Sequence, residues 1–357
     1  MKGRRRSTAR NQPINTDGHA IGLDIGATSI RAAVLALSNS GGPHPVVTTH
    51  GLGAVPLPPG AVVRGEVMEA DVVVAALKSL WETNNFNCKR VILGAAHPQA
   101  VVRSLQIPNL NPQQRAKALP FQAREIIALP LDEVILDYAQ VGEPDPVTGM
   151  VSGLLIATPR RPVLAAVDAV ERAGLKVARV DLSSFGALRS IADEHLGVQA
   201  VIDIGAHLTS IVVHLHGVPK LVRTVARGGQ ELTELLTENL NLSPEDAERA
   251  KRELGLTAER DEVSDALQAG VRPLLAEIRS SLNYFRTGND GARPDSIALT
   301  GGGAALTGLP ALLGSRLGIT VGLQTPMLHI GNRAARGGIE EQAATAVSVG
   351  LALGAAA

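Results

Sequence analysis

Two short stretches of this chain hold the residues best suited to chemistry. Residues 20–30 read AIGLDIGATSI, and residues 200–210 read AVIDIGAHLTS. Each is an apolar run with strand-like alternation that contains one aspartate, Asp24 or Asp203, and ends in small residues that allow a tight turn. A buried carboxylate is costly without a partner, whereas such turns can point backbone N–H groups at an anion. The pattern favours a metal-bound phosphate beside each turn; a hairpin with a solvated aspartate is the alternative.

The recurrence of this pattern is informative in itself. Asp203 follows Asp24 by 179 residues, which fits two similar domains that face one cleft. Because the chain is rich in glycine and alanine, chance recurrence of the letters DIGA is the alternative explanation. If the two copies do mark two domains, both aspartates lie at the same cleft.

A glycine-rich turn is the third candidate. The apolar residues 296–299 predict a strand, and Thr300, Gly301, Gly302 and Gly303 follow it at once. Successive glycines between a strand and a helix let a ligand lie directly against the backbone. A plain turn is the alternative interpretation.

Composition limits the class of protein. With 357 residues, of which 45% are hydrophobic and 19% charged, the chain is long enough for two or more soluble domains. A net charge of zero argues against general nucleic-acid binding. The single cysteine, Cys88, excludes an intrachain disulfide and a cysteine-rich zinc site. No apolar run reaches the roughly 20 residues of a membrane span, so we expect a cytoplasmic protein.

The first 19 residues are polar and basic. No apolar stretch of the kind found in a secretory signal follows the basic residues, which are Lys2, Arg4, Arg5, Arg6 and Arg10. We expect residues 1–19 to form a flexible tail. Weak attraction to an anionic membrane surface is the alternative.

The first half of the chain predicts one set of strands and helices around the first turn, and then a small module. Asp71 is expected to cap a helix over residues 72–82, and Asn111 with Pro112 to begin one that reaches residue 128. Residues 101–179 have the order β-α-β-β-α-β, which is typical of a split βαβ module. Strands are expected at residues 20–25, 30–37, 46–53, 90–95, 101–107, 133–141, 150–158 and 175–182, and a helix at 162–173.

The second half predicts mainly helices after the second turn. The acidic first turn that follows Ser243 and Pro244 is typical of a helix N-terminus. A long helix is expected over residues 265–286, bent at Pro273, and an apolar last helix over residues 340–354.

Together these features resemble the actin-type ATPase superfamily. The shared features are the two DIGA turns, the late TGGG and the helix that begins AERAKR at residues 247–252. Within that superfamily the chain is most similar to the PilM family of type IV pilus assembly proteins, relatives of the division protein FtsA. GGQELTE at residues 228–234 and EIRSSLNYF at residues 277–285 add to this likeness, which extends from residue 20 to 354.

The resemblance implies an α/β actin-like ATPase fold, with two lobes around a nucleotide cleft and an inserted split βαβ module in the first half. The expected divisions are a basic tail (1–19), the first lobe (20–100), the inserted βαββαβ module (101–179), the second lobe with its adenosine-side subdomain (180–345), and a C-terminal helix that returns to the first lobe (346–357). Residues 180–188 and 346–353 match the two connecting helices on which the lobes hinge.

The resemblance also implies ATP and Mg²⁺ as ligands. Asp24 and Asp203 would face Mg²⁺, mostly through water, which suits an ion that dehydrates reluctantly. Glu248 and Lys251 would reach the ribose and adenine, and Gly301, Gly302 and Gly303 would support the adenosine. The residues expected around the phosphates and the adjoining helix start are Gly26, Ala27, Thr28, Ser29, Gly205, Ala206, His207, Thr209, Gly228 and Gly229.

The implied function is that of an ATP-binding scaffold at the inner face of the cytoplasmic membrane, which grips the cytoplasmic N-terminal peptide of a PilN-like membrane protein. Other pilus inner-membrane components are further expected partners, self-association is possible, and no nucleic acid is expected. His207 departs from the hydroxyl residues common in such turns, and no residue stands out to position an attacking water, so we expect slow hydrolysis at most. A small-molecule kinase and an FtsA-like division protein are the alternatives.

Overall fold

Two five-stranded sheets of the same design form the centre of the molecule. The computed structural model describes residues 19–38, 46–256, 261–326 and 338–355. The tail was predicted over residues 1–19, and residues 1–18 of it lie outside the residues that the structure describes. In the described part of the chain, no helix is both long and apolar enough to span a membrane.

The first sheet has the strand order β10-β6-β1-β2-β3. β1 and β2 form the predicted hairpin, and β6 and β10 run parallel to β1. Alternating apolar residues such as Ile21 and Leu23 are buried in its core, against α1. The strands are β1 (His19–Ile25), β2 (Ser29–Ser38), β3 (Val46–Pro56), β6 (Arg90–Ala95) and β10 (Lys176–Leu182), with a small hairpin of β4 (Val62–Val63) and β5 (Glu66–Val67) beside it.

The second sheet repeats this design. Its order is β13-β12-β11-β14-β15, with β11 and β12 as an antiparallel hairpin and β14 and β15 parallel to β11. The strands are β11 (Val198–Ile204), β12 (Thr209–Leu215), β13 (Val218–Val225), β14 (Ser296–Thr300) and β15 (Thr320–Leu323). The repetition confirms the actin-like fold of two related lobes.

The inserted module is smaller than the sequence predicts. A three-stranded sheet in the order β7-β9-β8 and one helix, α2, belong to it. The next helix, α3 (Arg160–Arg172), packs on α1 (Ala70–Asn84) and β5, and β10 pairs with β6 of the first sheet. The prediction of a six-element module over residues 101–179 is therefore wrong for its last two elements. The module consists of β7 (Val101–Pro108), α2 (Pro112–Ala123), β8 (Val134–Gln140) and β9 (Met150–Pro159).

Both faces of the module's sheet are covered. Leu119 and Ala123 of α2 pack with Leu155 on one face. On the other face, Val102 and Leu154 belong to the same core as α4 and the second sheet. The module therefore packs against the second lobe, and its last strand leads into α3, which packs on α1 of the first lobe.

Helices cover the outer faces of the sheets. The N-cap of α1 is Glu69, and Asp71 lies inside the first turn, so the predicted cap is wrong. The predicted capping of α2 by Asn111 is confirmed, although that helix ends at Ala123 rather than residue 128. The other helices are α1 (Ala70–Asn84), α3 (Arg160–Arg172), α4 (Ser183–Ile191), α5 (Gly229–Leu240), α6 (Pro244–Leu254), α7 (Glu262–Thr287), α8 (Leu309–Leu317), α9 (Ile339–Ala343) and α10 (Ala346–Leu353).

Two helices cross where the lobes meet. The predicted last helix is divided, and its second part, α10, packs on α4 and on the first sheet. A Cβ added to Gly350 would lie 1.7 Å from the carbonyl oxygen of Gly186, so only glycine permits this close crossing. α4 and α10 correspond to the expected connecting helices, although residues 180–182 still belong to β10.

Candidate functional site

The two DIGA turns have the same backbone geometry. The N–H of Gly26 donates to the carbonyl oxygen of Ser29 at 3.0 Å, and that of Gly205 donates to the carbonyl oxygen of Leu208 at 2.8 Å. In both hairpins the last residue of the first strand pairs with the residue five positions later in the sequence. The pairs are Ile25 with Ile30 and Ile204 with Thr209. The pattern that recurs in the sequence therefore recurs as a structure.

Both aspartates line one cavity between the lobes. Its lining includes Asp24 with Gly26 from the first turn, and Asp203 with Gly205 from the second. Burial, together with the nearby charge of Asp24, raises the pKa of the Asp203 carboxyl to about 7. Burial likewise raises the pKa of Asp24, against the opposing effect of the Arg31 guanidinium. A carboxylate whose ionisation is opposed by a neighbouring carboxylate favours a cation beside it.

Arg31 is the site residue that the sequence interpretation missed. It pairs across the hairpin with Asp24, whereas Asp203 pairs with Ser210. Its Nη1 atom lies 4.0 Å from the Cβ position of Gly26, so the cation lies beside the first turn. The sequence does contain a signal for Arg31. It is the first cationic residue after the turn, and in this hairpin that position lies directly opposite Asp24 on the neighbouring strand. A guanidinium there suits a phosphate.

The side chains of the turns differ in what they can offer a ligand. Ala27 and Ala206 line the cavity with little more than backbone, and Thr28 lines an adjoining cavity beside His207. The Ser29 hydroxyl and the Nδ1 atom of His207 are buried and have no hydrogen-bond partner in the described structure. Buried polar atoms normally have a partner. His207 lines both cavities and can offer its Nδ1 atom to a ligand, whereas Ser29 lines neither cavity.

Thr209 is not brought to the cavity. Its side chain is fully buried, and its hydroxyl donates to the carbonyl oxygen of Arg227 at 2.9 Å. Ser210, the next residue on β12, lines the cavity instead. The role expected for Thr209 beside a phosphate is therefore wrong, because successive side chains of a strand point to opposite faces.

The glycine-rich turn lies directly against the second DIGA turn. Gly301 has φ of 87°, and a Cβ there would lie 2.4 Å from Oδ1 of Asp203. A Cβ on Gly303 would lie 3.0 Å from the carbonyl oxygen of Ile204. The N–H of Gly229, at the start of α5, donates to the carbonyl oxygen of Gly205 at 2.9 Å. The predicted adenosine-side glycines are thus brought together around Asp203.

Gly228 and Gly302 complete this group. A Cβ on Gly228 would lie 2.3 Å from the carbonyl oxygen of Ala206. Gly302 begins a short 3-10 helix, Gly302–Ala305, and has open space where a Cβ would lie, with only Ala344 at 3.9 Å. Gly228 is therefore buried against the second DIGA turn, whereas Gly302 is partly exposed.

Glu248 and Lys251 form one ion pair, with Nζ and Oε2 2.6 Å apart. The Glu248 carboxylate also accepts hydrogen bonds from Thr233 at 2.6 Å and Arg252 at 2.7 Å. Burial would raise the pKa of Glu248, but these three donors together lower it. Burial lowers the pKa of Lys251, against the opposing effect of Glu248. The pair is therefore a preformed, charged element on α6.

The pair lies beside the glycines of the expected adenosine site. Lys251 Nζ donates to the carbonyl oxygen of Gly229 at 3.1 Å and lies 3.8 Å from that residue's Cβ position. A Cβ at Gly229 would in turn lie 3.6 Å from the Cα of Gly303. The sequence-predicted residues of α5, α6 and the glycine-rich turn are thus in mutual contact.

A magnesium nucleotide fits this arrangement. No group of three or more metal-binding side chains occurs in the residues that the structure describes, so the protein offers Asp24 and Asp203 without a full protein cage. Mg²⁺ suits such a site, since it keeps several waters and takes few carboxylates plus phosphate oxygens. Arg31 and the unpartnered Nδ1 atom of His207 would suit phosphate contacts, and the partly exposed backbone of Gly302 and Gly303 would suit a nucleoside.

The cavity also reaches the border of the module. Besides the turns, it is lined by Thr158 at the end of β9, by Pro162 and Val163 of α3, and by His97. His97 accepts the N–H of Gln99 through Nδ1 at 3.1 Å, so its Nε2 carries the proton that Glu66 accepts at 3.2 Å. The wall of the cavity therefore extends from the two aspartates to α3 and the end of β9.

Comparison with known proteins agrees with this architecture. The model of a family described as type IV pilus assembly protein PilM matches residues 22–356. The solved PilM–PilN type IV pilus biogenesis complex is similar with a TM-score of 0.80 and 27% identity, over 95% of this chain and 98% of that one. FtsA of Bacillus subtilis is 22% identical over 348 residues, 84% of this chain and 77% of the relative.

More distant structures share the fold. The ethanolamine utilization protein EutJ of Carboxydothermus hydrogenoformans has a TM-score of 0.53 at 17% identity, covering 94% of this chain and 89% of that one. MreB5 of Spiroplasma citri, solved bound to ADP, has a TM-score of 0.51 at 12% identity, covering 94% and 95%. Because the family model spans nearly all of the sequence, the chain belongs to the family of type IV pilus assembly protein PilM and is an actin-like scaffold of type IV pilus assembly.

Proposed function

We propose that this scaffold binds ATP with Mg²⁺ between its lobes. The observation that carries the proposal is that two turns of equal geometry bring Asp24 and Asp203 to one cavity. Asp24 and Asp203 would orient the hydrated metal, Arg31 would neutralise phosphate charge, and Glu248 with Lys251 would hold the ribose and adenine. Bound Mg²⁺ would screen the charge of the phosphates.

Stabilisation by ligand tests this proposal. A ligand that binds only the folded state raises the free energy of unfolding by RT ln(1 + [L]/Kd). We expect ATP with Mg²⁺ to raise the midpoint of thermal unfolding, and to raise it less for Asp24→Ala. An identical midpoint with and without the magnesium nucleotide would contradict nucleotide binding.

Slow hydrolysis is part of the same proposal. Among the described residues that line the cavity, Asp24 and Asp203 are the only carboxylates, and no glutamine joins them. Both ring nitrogens of His97 are engaged by other groups. Efficient transfer to water needs a group that orients the attacking water. Phosphate release of many turnovers per second, abolished by one side-chain change, would reveal a residue that this account lacks.

We infer that the partner is the cytoplasmic N-terminal peptide of a PilN-like membrane protein, held where α3 meets the module, and that the protein lies through it at the inner face of the cytoplasmic membrane. The apolar side chains of the module's sheet pack against α2 and in the core shared with α4 and the second sheet. At the α3 border, however, Leu164 and Met68 are exposed large apolar side chains, and α3 packs on β5, the strand just before Met68. An extended peptide gains affinity from such side-chain pockets and from main-chain hydrogen bonds.

Peptide titration tests this partner. We expect Leu164→Glu to weaken binding of the partner's N-terminal peptide at least ten-fold, because it places a charge against an apolar ligand. Leu215→Glu is the matched control, since Leu215 is also exposed but lies at the end of β12 in the second lobe. Equal binding by both variants would assign the α3 border to another role.

A further inference from the structure

The turn between β4 and β5 places an arginine where the backbone disfavours one. Val63 pairs with Glu66, so Arg64 and Gly65 form a two-residue hairpin loop, with φ of 51° and 85°. Such loops need positive φ at both positions, which glycine, asparagine and aspartate adopt most easily. A long side chain at the first position is therefore strained without any benefit to the turn itself.

Arg64 stands apart from the other described residues with positive φ. Those that are not glycine belong to types that tolerate the left-handed region, and they are Asn85, His216, Asn241 and Asp290. His216 and Gly217 form a two-residue loop of the same kind between β12 and β13. The arginine therefore reflects the location of the β4–β5 loop rather than the kind of turn.

That location is the boundary between the lobes. A Cβ on Gly65 would lie 1.9 Å from the carbonyl oxygen of Ala96, just after β6, and 3.5 Å from Cδ1 of Leu208 in the second DIGA turn. The glycine thus lets the loop fit between the first sheet and the second turn. Its neighbour Arg64 is exposed and forms no hydrogen bond or ion pair with any residue that the structure describes.

Arg64 lines the cavity that adjoins the one with the two aspartates. Thr28 of the first DIGA turn and His207 of the second line it as well. Ala27 and His207 line both cavities, so the two spaces meet at the turns. A cation without a partner is thus placed beside the side chains of both turns.

The rest of the lining indicates which part of a nucleotide would reach this cavity. Its two carboxylates are Glu231, which is paired with Arg227 at 2.9 Å, and Glu234, which is exposed. Glu248, Lys251 and the glycines of residues 301–303 are not among the described residues that line it. The cavity is therefore bordered by the turns expected to hold phosphates and not by the expected adenosine site.

We propose that Arg64 binds the terminal phosphate of ATP and so lets the protein distinguish ATP from ADP. This inference rests on the nucleotide binding proposed above. A guanidinium can donate two parallel hydrogen bonds to a phosphate, and ADP lacks the terminal phosphate. The hairpin loop holds the guanidinium beside both DIGA turns, which accounts for an arginine at a strained position.

Calorimetric titration with ATP and with ADP, each in the presence of Mg²⁺, tests the proposal. We expect Arg64→Asn to weaken ATP binding about ten-fold, as for loss of a hydrogen bond to a charged group, and to leave ADP binding unchanged. Because asparagine favours this turn, the thermal unfolding midpoint of the nucleotide-free variant should be no lower than that of wild type. Arg64→Lys keeps the charge without the planar fork, so its loss of ATP affinity should be smaller.

A matched variant separates the location of the loop from its geometry. His216→Asn changes the same position of the same kind of loop, and His216 lines neither cavity, so both affinities should stay unchanged. Equal losses for ATP and ADP in Arg64→Asn, or no loss for either, would overturn the role of Arg64 and leave nucleotide binding intact. Absence of binding of both nucleotides by wild type would contradict the proposed function itself, and this inference with it.

Discussion

The two DIGA turns share a backbone but differ in charge. Each closes with the same hydrogen bond, and each brings its aspartate to the same cavity. Arg31 lies opposite Asp24, whereas the uncharged Ser210 lies opposite Asp203. Arg31 is thus next to Asp24 on the first hairpin, and its charge opposes the effect of burial on the pKa of both carboxyls, although the pKa of Asp203 still rises to about 7.

The strands beside the turns differ in a second way. β14 pairs Thr300 with Asp203 and continues into three glycines. In the first sheet the corresponding strand is β6. Its residue level with Asp24 is Gly94, and Ala95, Ala96 and His97 follow it in the sequence. The second lobe therefore carries glycine backbone at the place where the first lobe carries side chains that reach toward the module. Under the proposed nucleotide binding, one fold would serve a nucleoside on one side and the module on the other.

The largest effect is expected from adding a methyl group to the glycine-rich turn. Gly301→Ala meets Asp203 and Ile204 within 2.5 Å at a positive φ, so we expect the free energy of unfolding to fall by about 3 kcal/mol. Gly302→Ala is the matched control, because its nearest neighbour is 3.9 Å away. Urea unfolding measures both, and equal stability of the two variants would contradict the close packing described above.

The charge difference between the turns predicts the next effect. Arg31→Ala should weaken ATP binding about 30-fold, since a hydrogen bond to a charged group contributes about 2 kcal/mol. Ser210→Ala should change it less than about three-fold. Calorimetric titration of both variants with ATP measures the two losses of affinity. A greater loss for Ser210→Ala than for Arg31→Ala would contradict the prediction.

The carboxyl of Asp203 predicts a pH dependence of the nucleotide-free protein. Its folded pKa lies above its unfolded value, so stability is lost as the pH rises from about 4 to about 7. Asp203→Asn should therefore raise the free energy of unfolding at alkaline pH and change it little in acid. A gain at Asp203 that does not depend on pH would point to packing instead.

The smallest effect concerns the side chain that distinguishes the second turn. Nδ1 of His207 is buried without a partner, and we expect the terminal phosphate to supply one. His207→Ala should weaken ATP about five-fold, the value of one neutral hydrogen bond, and leave ADP unchanged. Equal losses of affinity for ATP and ADP would show that the His207 ring does not contact the terminal phosphate.

Local patterns in the sequence predict the strands and turns of this fold well. Asp24 and Asp203 are recognisable because alternation, a buried carboxylate and small turn residues are all local features. The glycines of residues 301–303 are recognisable for the same reason. Their mutual contact follows once the repeat is interpreted as two lobes.

Pairing between distant strands is what the sequence does not reveal. β10 has the pattern of a last strand of the module, but its partner is β6, about 86 residues earlier in the chain. Arg31 was missed for a related reason, since its position opposite Asp24 depends on hairpin register. Thr209 was misassigned because a shift of one residue along a strand reverses the face.

Calorimetric titration of ATP with and without Mg²⁺ tests the central claim most directly, that two equivalent turns hold one magnesium nucleotide. The account predicts that wild type binds ATP more tightly with Mg²⁺, and that Asp24→Ala and Asp203→Ala each abolish this dependence. Undetectable binding by wild type, or wild-type magnesium dependence in either variant, would contradict it.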